Sequence, residues 1–208
     1  MTATTPPQGL ETPVLIVGGG PVGLTLALDL AIRGVRSILV ERDQGTAVEL
    51  LAKAGTLNER TMEYCRWLGI SDAVANVGFP DDHPRDTVYC TALNGFVLGR
   101  DYRPSTNDRA PAPESPEILR KCPQFRFDPL LAEAVRERGL TEVRYGTSWL
   151  AGTQDADGVT STLAPASAGP EGPAGQPVTV RSKYLVARAA LSAGQRASVS
   201  RASNSTTR

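Results

Sequence analysis

Residues 14–24 read VLIVGGGPVGL, an apolar run that breaks into glycines and then continues as a helical pattern. The run is short, unalternating and rich in β-branched residues, as expected for a strand buried on both faces of a parallel sheet. Gly18, Gly20 and Gly23 follow the spacing Gly-x-Gly-x-x-Gly. In such a turn the first glycine permits the bend, the second lets a pyrophosphate approach, and the third lets the helix pack closely on the strand. The stretch therefore predicts a dinucleotide-binding strand, turn and helix.

The helix after the glycines is predicted to end at Gly34, and its N-terminus would face the phosphates. Free N–H groups and the positive end of the helix dipole bind anions there without a lysine. Gly19, Pro21 and Val22 complete the turn and belong to the predicted site. The apolar residues of this helix are Leu24, Leu26, Ala27, Leu28, Leu30 and Ala31.

A second predicted strand, residues 36–40, follows the helix and leads into Glu41. This carboxylate falls at the spacing where an acidic residue accepts hydrogen bonds from a ribose 2′-hydroxyl. Because a carboxylate there repels a 2′-phosphate, the site favours the adenosine of FAD or NAD over that of NADP. The alternative is an ordinary β-α-β unit with a glycine turn and a surface glutamate.

Composition argues against several classes of protein. The 208 residues carry a formal net charge of zero, although residues 187–208 hold four arginines and no acid. We interpret this segment as a solvated, disordered tail rich in Arg, Ser and Ala, and we expect no nucleic-acid partner. We interpret residues 1–12 as a second disordered tail, which lacks the apolar core of a signal peptide. No segment reaches membrane-spanning length.

Three cysteines, Cys65, Cys90 and Cys122, are odd in number and far apart in the sequence. This usage favours reduced thiols over disulfides or a metal site, and we expect a soluble cytoplasmic protein. The one histidine, His83, lies in a charged loop without a partner at ligand spacing. We therefore predict no metal ligands and assign His83 no catalytic role.

The rest of the chain shows helix and hairpin signals. Asn58 is predicted to cap a helix that ends at Gly69, and the buried stripe of this helix is Met62, Cys65 and Leu68. Ser71 is predicted to cap a short helix that ends at Gly78. A third helix is predicted with Asp128 as N-cap, Pro129 in the first turn and Gly139 at its end. Residues 87–93 and 96–98 form a predicted hairpin across Asn94-Gly95. Further strands are predicted at 141–145, 148–153, 159–163, 178–180 and 184–186, and residues 165–177 are predicted to be a flexible loop.

Together these segments resemble the FAD-dependent aromatic hydroxylases, the single-component flavin monooxygenases of the p-hydroxybenzoate and phenol hydroxylase type. The residues that carry the resemblance are the glycine fingerprint, Glu41-Arg42, residues 53–63 (KAGTLNERTME), Cys122-Pro123-Gln124 and residues 183–186 (KYLV). Residues 88–91 (VYCT) look closest to the chlorophenol and polyketide hydroxylase branch. The resemblance covers residues 13–186. It implies an α/β, Rossmann-like FAD-binding domain, with a parallel sheet and added antiparallel strands.

The resemblance also implies roles for single residues. The fingerprint glycines would hold the FAD pyrophosphate, Glu41 the adenosine ribose, and Arg42 would lie beside the adenine. Lys53 occupies a position where relatives often place a basic residue near the pyrophosphate, and Gln124 matches a glutamine near the flavin. On sequence alone, Lys53 is equally interpretable as a solvated loop lysine and Gln124 as a helix-entry turn residue.

In this family the cofactor carries the chemistry, so the chain is predicted to have no catalytic side chain of its own. NADPH or NADH reduces the flavin, oxygen adds to give a flavin C4a-hydroperoxide, and this attacks a phenolic or polyketide ring.

In relatives, however, a Gly-x-Asp-Gly turn follows the strand matched by residues 184–186, and a Gly-Asp motif comes later. Both are absent, which predicts a fold incomplete at its C-terminus, with reduced or no activity. A frameshift just after Val186 is one hypothesis. The alternatives are a small non-catalytic FAD- or NAD-binding module and an NAD-dependent reductase.

Overall fold

The computed structural model describes residues 9–46, 53–166, 176–187 and 199–201. For residues 199–201 it describes the backbone only. The chain divides into two compact units: the first comprises Met1–Glu49 and Leu131–Arg208, and the second Leu50–Leu130. The helices are α1 (Pro21–Ile32), α2 (Glu59–Leu68), α3 (Ser71–Val77) and α4 (Gln124–Arg138). The strands are β1 (Leu10–Val17), β2 (Ser37–Val40), β3 (Thr56–Leu57), β4 (Thr87–Cys90), β5 (Val97–Asp101), β6 (Arg120–Lys121), β7 (Thr141–Arg144), β8 (Thr147–Gln154), β9 (Val159–Pro165), β10 (Val178–Ala187) and β11 (Val199–Arg201).

The first unit is built on a seven-stranded sheet in the order β11-β8-β9-β10-β1-β2-β7. Strand β1 lies between β10 and β2 and is parallel to both, and β2 is parallel to β7. Strand β9 is antiparallel to β8 and β10. This confirms the predicted α/β fold, a parallel sheet with added antiparallel strands. The core residues of this sheet are Leu15, Ile38, Val40, Trp149, Leu163 and Val180.

Two strands of this sheet differ from the sequence prediction. Residues 178–187 form one continuous strand, where two short strands were predicted. Its polar middle includes Ser182, which is buried and breaks the apolar pattern although the backbone stays paired with β1. Residues 199–201 form β11, parallel to β8, inside the segment predicted to be a disordered tail. The pairing of β11 with β8 covers three residues, and so short a strand has no periodic pattern of apolar residues from which the sequence could predict it.

The second unit contains α2, α3 and two small antiparallel sheets. The Asn58 side chain caps α2 by accepting a hydrogen bond from Thr61 N–H at 2.9 Å, and Gly69 ends the helix in the left-handed conformation, both as predicted. Met62, Cys65 and Leu68 are its buried residues, again as predicted. Ser71 is the first residue of α3 rather than its cap, because Ile70 occupies the N-cap position.

The predicted hairpin is present as β4 and β5, with β4 ending at Cys90, three residues earlier than predicted. The Gly95 N–H donates to the Ala92 carbonyl, so a turn over residues 92–95 joins the strands. The two strands of the other small sheet, β3 and β6, are two residues each and were not predicted.

Helix α4 begins at Gln124, four residues before the predicted cap Asp128, and ends before Gly139 as predicted. Asp128 and Pro129 therefore lie inside the helix, in its second turn. The Asp128 side chain is buried and accepts a hydrogen bond from Gln124 Nε2 at 2.9 Å. A buried side-chain pair thus replaces the predicted cap.

Three observations bear on the remaining predictions. Cys65, Cys90 and Cys122 are free thiols. Within the described residues, no helix combines the length and the apolar character needed to cross a bilayer. The loop predicted at 165–177 lies mostly outside the described residues, as do residues 1–8 and most of 187–208. The predicted N-terminal tail is wrong for residues 10–12, which belong to β1 because they pair with β10.

Candidate dinucleotide site

The turn between β1 and α1 has the geometry that the glycine spacing predicts. Gly18 has a φ of 112°, a conformation that side chains rarely adopt, and its N–H donates to the Val40 carbonyl at 2.8 Å. A Cβ added to Gly23 would lie 1.9 Å from the Gly18 carbonyl oxygen. The first glycine is thus required by its backbone conformation, and the third by the close approach of helix and turn.

The N-terminus of α1 is open to an anion. Gly20 occupies the N-cap position with an extended backbone, no side chain caps the helix, and its first turn contains no acidic residue. The first helical hydrogen bond runs from Leu24 N–H to the Gly20 carbonyl. The N–H groups of Val22 and Gly23 therefore precede it, and Pro21 has none to satisfy. Val22 is 60% exposed, so solvent or a ligand has access to this end. The arrangement fits a phosphate group.

Glu41 closes the other side of the turn. Its Oε2 accepts a hydrogen bond from Gly19 N–H at 2.6 Å, and its Oε1 accepts one from Asp43 N–H at 3.0 Å. The backbone of Glu41 is held as well, since its N–H donates to the Arg144 carbonyl and its carbonyl accepts from Thr147 N–H. The carboxylate is therefore fixed beside the glycine turn, at the carboxyl ends of β1 and β2.

Gly19 has a role that the sequence analysis did not identify. A Cβ at this position would lie 2.8 Å from the Glu41 Cβ. A larger residue would push Glu41 away from the turn. The sequence did carry a signal for this role, because the Gly-x-Gly-x-x-Gly spacing requires no glycine at position 19.

Arg42 extends away from the turn. Its side chain is 76% exposed, and its Nε lies 3.6 Å from Asp43 Oδ1. An exposed guanidinium beside the Glu41 carboxylate can stack on a planar ring. The position is compatible with the adenine contact that the resemblance implies.

Lys53 and Gln124 both lie in the second unit, and backbone hydrogen bonds bring their segments together. Gln124 N–H donates to the Ala54 carbonyl at 2.9 Å, and Cys122 N–H donates to the Gly55 carbonyl at 3.1 Å. The Lys53 side chain is exposed, whereas Gln124 is buried and donates to Asp128. Asp128, the hydrogen-bond partner of Gln124, was not predicted as a neighbour of the site, because the sequence pattern favours it as a helix N-cap.

Other candidate residues have structural contacts. The His83 ring packs against Phe79, with ring centroids 4.8 Å apart. Among the residues that the structure describes, no three His, Cys, Asp or Glu side chains are grouped so that they could hold a metal ion.

Comparison with known proteins gives one family for most of the chain. Residues 11–201 match the family described as FAD binding domain. The chain is 35% identical over 182 residues to phenol 2-monooxygenase of Pseudomonas sp. (strain EST1001), covering 85% of the chain and 28% of that protein. It is 36% identical over 180 residues to 2,4-dichlorophenol 6-monooxygenase of Cupriavidus pinatubonensis, covering 85% of the chain and 29% of that protein.

Solved structures give the same result. The rebeccamycin biosynthetic enzyme RebC with reduced flavin superimposes with a TM-score of 0.74 at 36% identity, over 87% of the chain and 33% of RebC. The flavin-dependent monooxygenase PieE, in complex with FAD and substrate, gives a TM-score of 0.71 at 36% identity, over 85% of the chain and 30% of PieE. The chain thus spans about a third of the length of the relatives it matches.

Proposed function

Because the chain belongs to the FAD binding domain family of aromatic-ring monooxygenases, we propose that its first unit binds the adenosine diphosphate half of FAD for NAD(P)H- and O2-dependent hydroxylation of a phenolic or polyketide substrate. The observation that carries the proposal is the uncapped N-terminus of α1 beside the fixed Glu41 carboxylate. One feature suits a pyrophosphate and the other a ribose.

Each residue of the fingerprint has a proposed part. The N–H groups at the start of α1 would donate to the pyrophosphate, and Gly18, Gly20 and Gly23 would leave room for it. Glu41 would accept hydrogen bonds from the ribose hydroxyls. Its two oxygens already accept from Gly19 and Asp43, but a carboxylate offers about four acceptor positions. Gly19, Pro21 and Val22 would complete the wall of the site.

The remaining predicted residues keep the parts that the family resemblance implies. Arg42 would stack on the adenine, and Lys53 would place a positive charge near the pyrophosphate. Gln124 would hydrogen-bond near the flavin end. Its Nε2 donates to Asp128, which fixes the amide and leaves the side-chain carbonyl as the acceptor.

The protein would bind FAD and orient it, and FAD, when bound, supplies the redox chemistry with oxygen. No side chain of this chain is assigned as nucleophile or general base. NADPH or NADH would serve as reductant, and the names of the relatives favour a small aromatic substrate. We further propose residues 13–186 as the FAD-binding domain and a cytoplasmic location, which the three free thiols support.

Retention of flavin tests the proposal. The full chain is incubated with FAD and desalted, its visible spectrum is recorded, and NAD(P)H oxidation is then followed with a panel of phenols. We expect wild type to retain FAD and Glu41→Gln to lose most of it. Glu133→Gln, which changes an exposed glutamate on α4, is the matched control and should retain FAD like wild type.

The outcomes separate the candidate functions. Equal retention by wild type and Glu41→Gln would contradict the proposed ribose contact. Retention of NAD in place of FAD would contradict the cofactor assignment and favour a reductase. Retention of FAD without NAD(P)H oxidation by any substrate tested would leave a binding module.

A further inference from the structure

The turn between β7 and β8 holds the segment that carries Glu41. Besides the two bonds that Glu41 makes with Arg144 and Thr147, the Gly146 N–H donates to the Asp43 carbonyl at 2.9 Å. All three are backbone hydrogen bonds, and they lie just beyond the carboxyl end of the β2–β7 ladder. The turn therefore fixes residues 41–43 along their whole length.

Asp43 connects this turn to the Glu41 carboxylate. The Asp43 carbonyl accepts the hydrogen bond from Gly146, and the Asp43 N–H donates to Glu41 Oε1 at 3.0 Å. Because both polar backbone groups of Asp43 are engaged, the position of its N–H depends on the turn. That N–H is one of two backbone donors on the carboxylate, and the other is the Gly19 N–H on Oε2. Gly146 thus acts on Glu41 through Asp43.

Gly146 has a backbone conformation that few other residues tolerate. Its φ is 60°, in the left-handed region, where a side chain introduces strain. A Cβ added to it would also lie 2.6 Å from Gln44 Nε2. The Gly146 carbonyl accepts from the Ala166 N–H at 2.7 Å, so the turn is held from the end of β9 as well. A branched residue at this position would have to move the turn, and the Asp43 carbonyl would lose its donor.

A carboxylate that is already fixed binds a hydroxyl more tightly than a mobile one. A free glutamate side chain must lose conformational freedom when it binds, whereas Glu41 has lost that freedom on folding. We propose that Gly146 is a positioning residue, which orients Glu41 through Asp43 towards the 2′-hydroxyl of the adenosine ribose. This inference rests on the ribose contact proposed above for Glu41, and it extends that contact to a turn from a distant part of the sequence.

The experiment compares ADP with 2′-deoxy-ADP, which lacks only that hydroxyl. Calorimetric titration of the full chain with each nucleotide gives the ratio of the two dissociation constants. We expect wild type to bind ADP about tenfold more tightly, the difference that one charge-assisted hydrogen bond makes. In Gly146→Val the ratio should fall towards the value found for Glu41→Gln, because the carboxylate is no longer held in place.

Gly139→Val is the matched control. Gly139 has a φ of 66°, close to that of Gly146, and it lies before β7, at the opposite end of that strand. Its N–H donates to the Arg136 carbonyl, and an added Cβ would meet no atom within 4 Å. We expect Gly139→Val to lower the melting temperature through the same kind of backbone strain and to keep the wild-type ratio.

Two further variants separate backbone strain from the loss of the fold. Gly146→Asn should keep most of the wild-type ratio, because asparagine tolerates the left-handed conformation better than valine does. Circular dichroism checks that each variant is folded. If Gly146→Val does not fold, the smaller change Gly146→Ala carries the same test.

The outcomes distinguish this inference from the proposed function. A wild-type ratio in folded Gly146→Val would overturn the inference alone. So would an equal loss of the ratio in Gly139→Val, since the effect would then follow stability and not the position of Glu41. If wild type binds ADP and 2′-deoxy-ADP equally, the ribose contact is wrong as well. If wild type binds neither nucleotide, the proposed function is wrong and the inference falls with it.

Discussion

Strands β2 and β4 are both four residues long and both rich in strand-forming residues, yet every residue of β2 is buried and every residue of β4 is exposed. Strand β2 lies between β1 and β7, whereas β4 pairs with β5 in a two-stranded sheet. Local propensity is thus enough to form both strands. Their position in a sheet decides whether they contribute to a core.

The exposed hairpin carries large apolar side chains without burying them. These are Tyr89, Leu93, Phe96, Val97 and Leu98, with Tyr102 just beyond β5. A two-stranded hairpin gains little stability from such residues, whereas the β1-α1-β2 segment buries residues such as Leu15, Leu28 and Leu39 completely. The same substitution should therefore cost much in the first unit and little in the hairpin.

The largest difference is expected for leucine truncation. Leu39 in β2 is fully buried, so Leu39→Ala should lower the free energy of unfolding by about 2–5 kcal/mol through lost burial and a new cavity. Leu98 in β5 is 72% exposed, and Leu98→Ala should change the free energy of unfolding by less than about 0.5 kcal/mol. Denaturant unfolding of the two variants checks this. Equal costs would show that the hairpin is packed.

A glycine pair tests the close contact of the fingerprint. Gly23→Ala places a Cβ 1.9 Å from a backbone oxygen and should cost about 1–3 kcal/mol, because the backbone must move. Gly99→Ala in β5 meets no atom within 4 Å and should change stability by less than about 0.5 kcal/mol. The melting temperatures of both variants measure this. A Gly23→Ala variant as stable as Gly99→Ala would mean that the helix does not approach the turn closely.

Thiol reactivity separates exposed from buried positions within the second unit. Cys90 in β4 is exposed, whereas burial raises the pKa of the Cys65 thiol to about 11 and also raises that of Cys122. At pH 8 roughly one Cys65 in a thousand would be thiolate. An aromatic disulfide reagent should therefore label Cys90 quickly and the other two slowly. Loss of the fast phase in Cys90→Ser confirms the assignment, and its persistence would refute it.

The smallest effect concerns pH. Asp155, in the turn between β8 and β9, accepts hydrogen bonds from Arg181, which hold its pKa at about 2 against a usual 3.8. Because the folded-state pKa is depressed, the stabilisation is present above about pH 4 and is lost as the pH falls towards 2. Melting temperatures between pH 5 and 2 should fall less steeply for Asp155→Asn than for wild type. Parallel curves would exclude a contribution from this pair.

The elements predicted correctly are those that local backbone requirements specify. Gly18 needs a positive φ, and Asn58 and Gly69 bound their helix through short-range hydrogen bonds. Errors occur where distant pairing decides. The polar residues 181–183 are strand because β1 and β9 hold them, and β11 exists through its pairing with β8.

The candidate site divides in the same way. Glu41 followed from spacing, since a strand and a helix of standard length place it beside the glycines. The neighbouring positions of Lys53 and Gln124 depend on hydrogen bonds between segments about 70 residues apart, namely Gln124 N–H to Ala54 and Cys122 N–H to Gly55. No local pattern encodes that pairing. The buried contact of Gln124 with Asp128 was hidden for a related reason, because an Asp-Pro pair favours a helix start.

The central claim, that the first unit holds the adenosine diphosphate half of FAD, is tested most directly by calorimetric titration with 5′-ADP and with adenosine 2′-phosphate 5′-diphosphate, which differs from it only by the 2′-phosphate. We predict that wild type binds 5′-ADP more tightly by about tenfold or more, because Glu41 repels a 2′-phosphate. The preference should shrink in Glu41→Gln and persist in Glu133→Gln. Equal affinity for the two nucleotides, or a preference unchanged by Glu41→Gln, would contradict the claim.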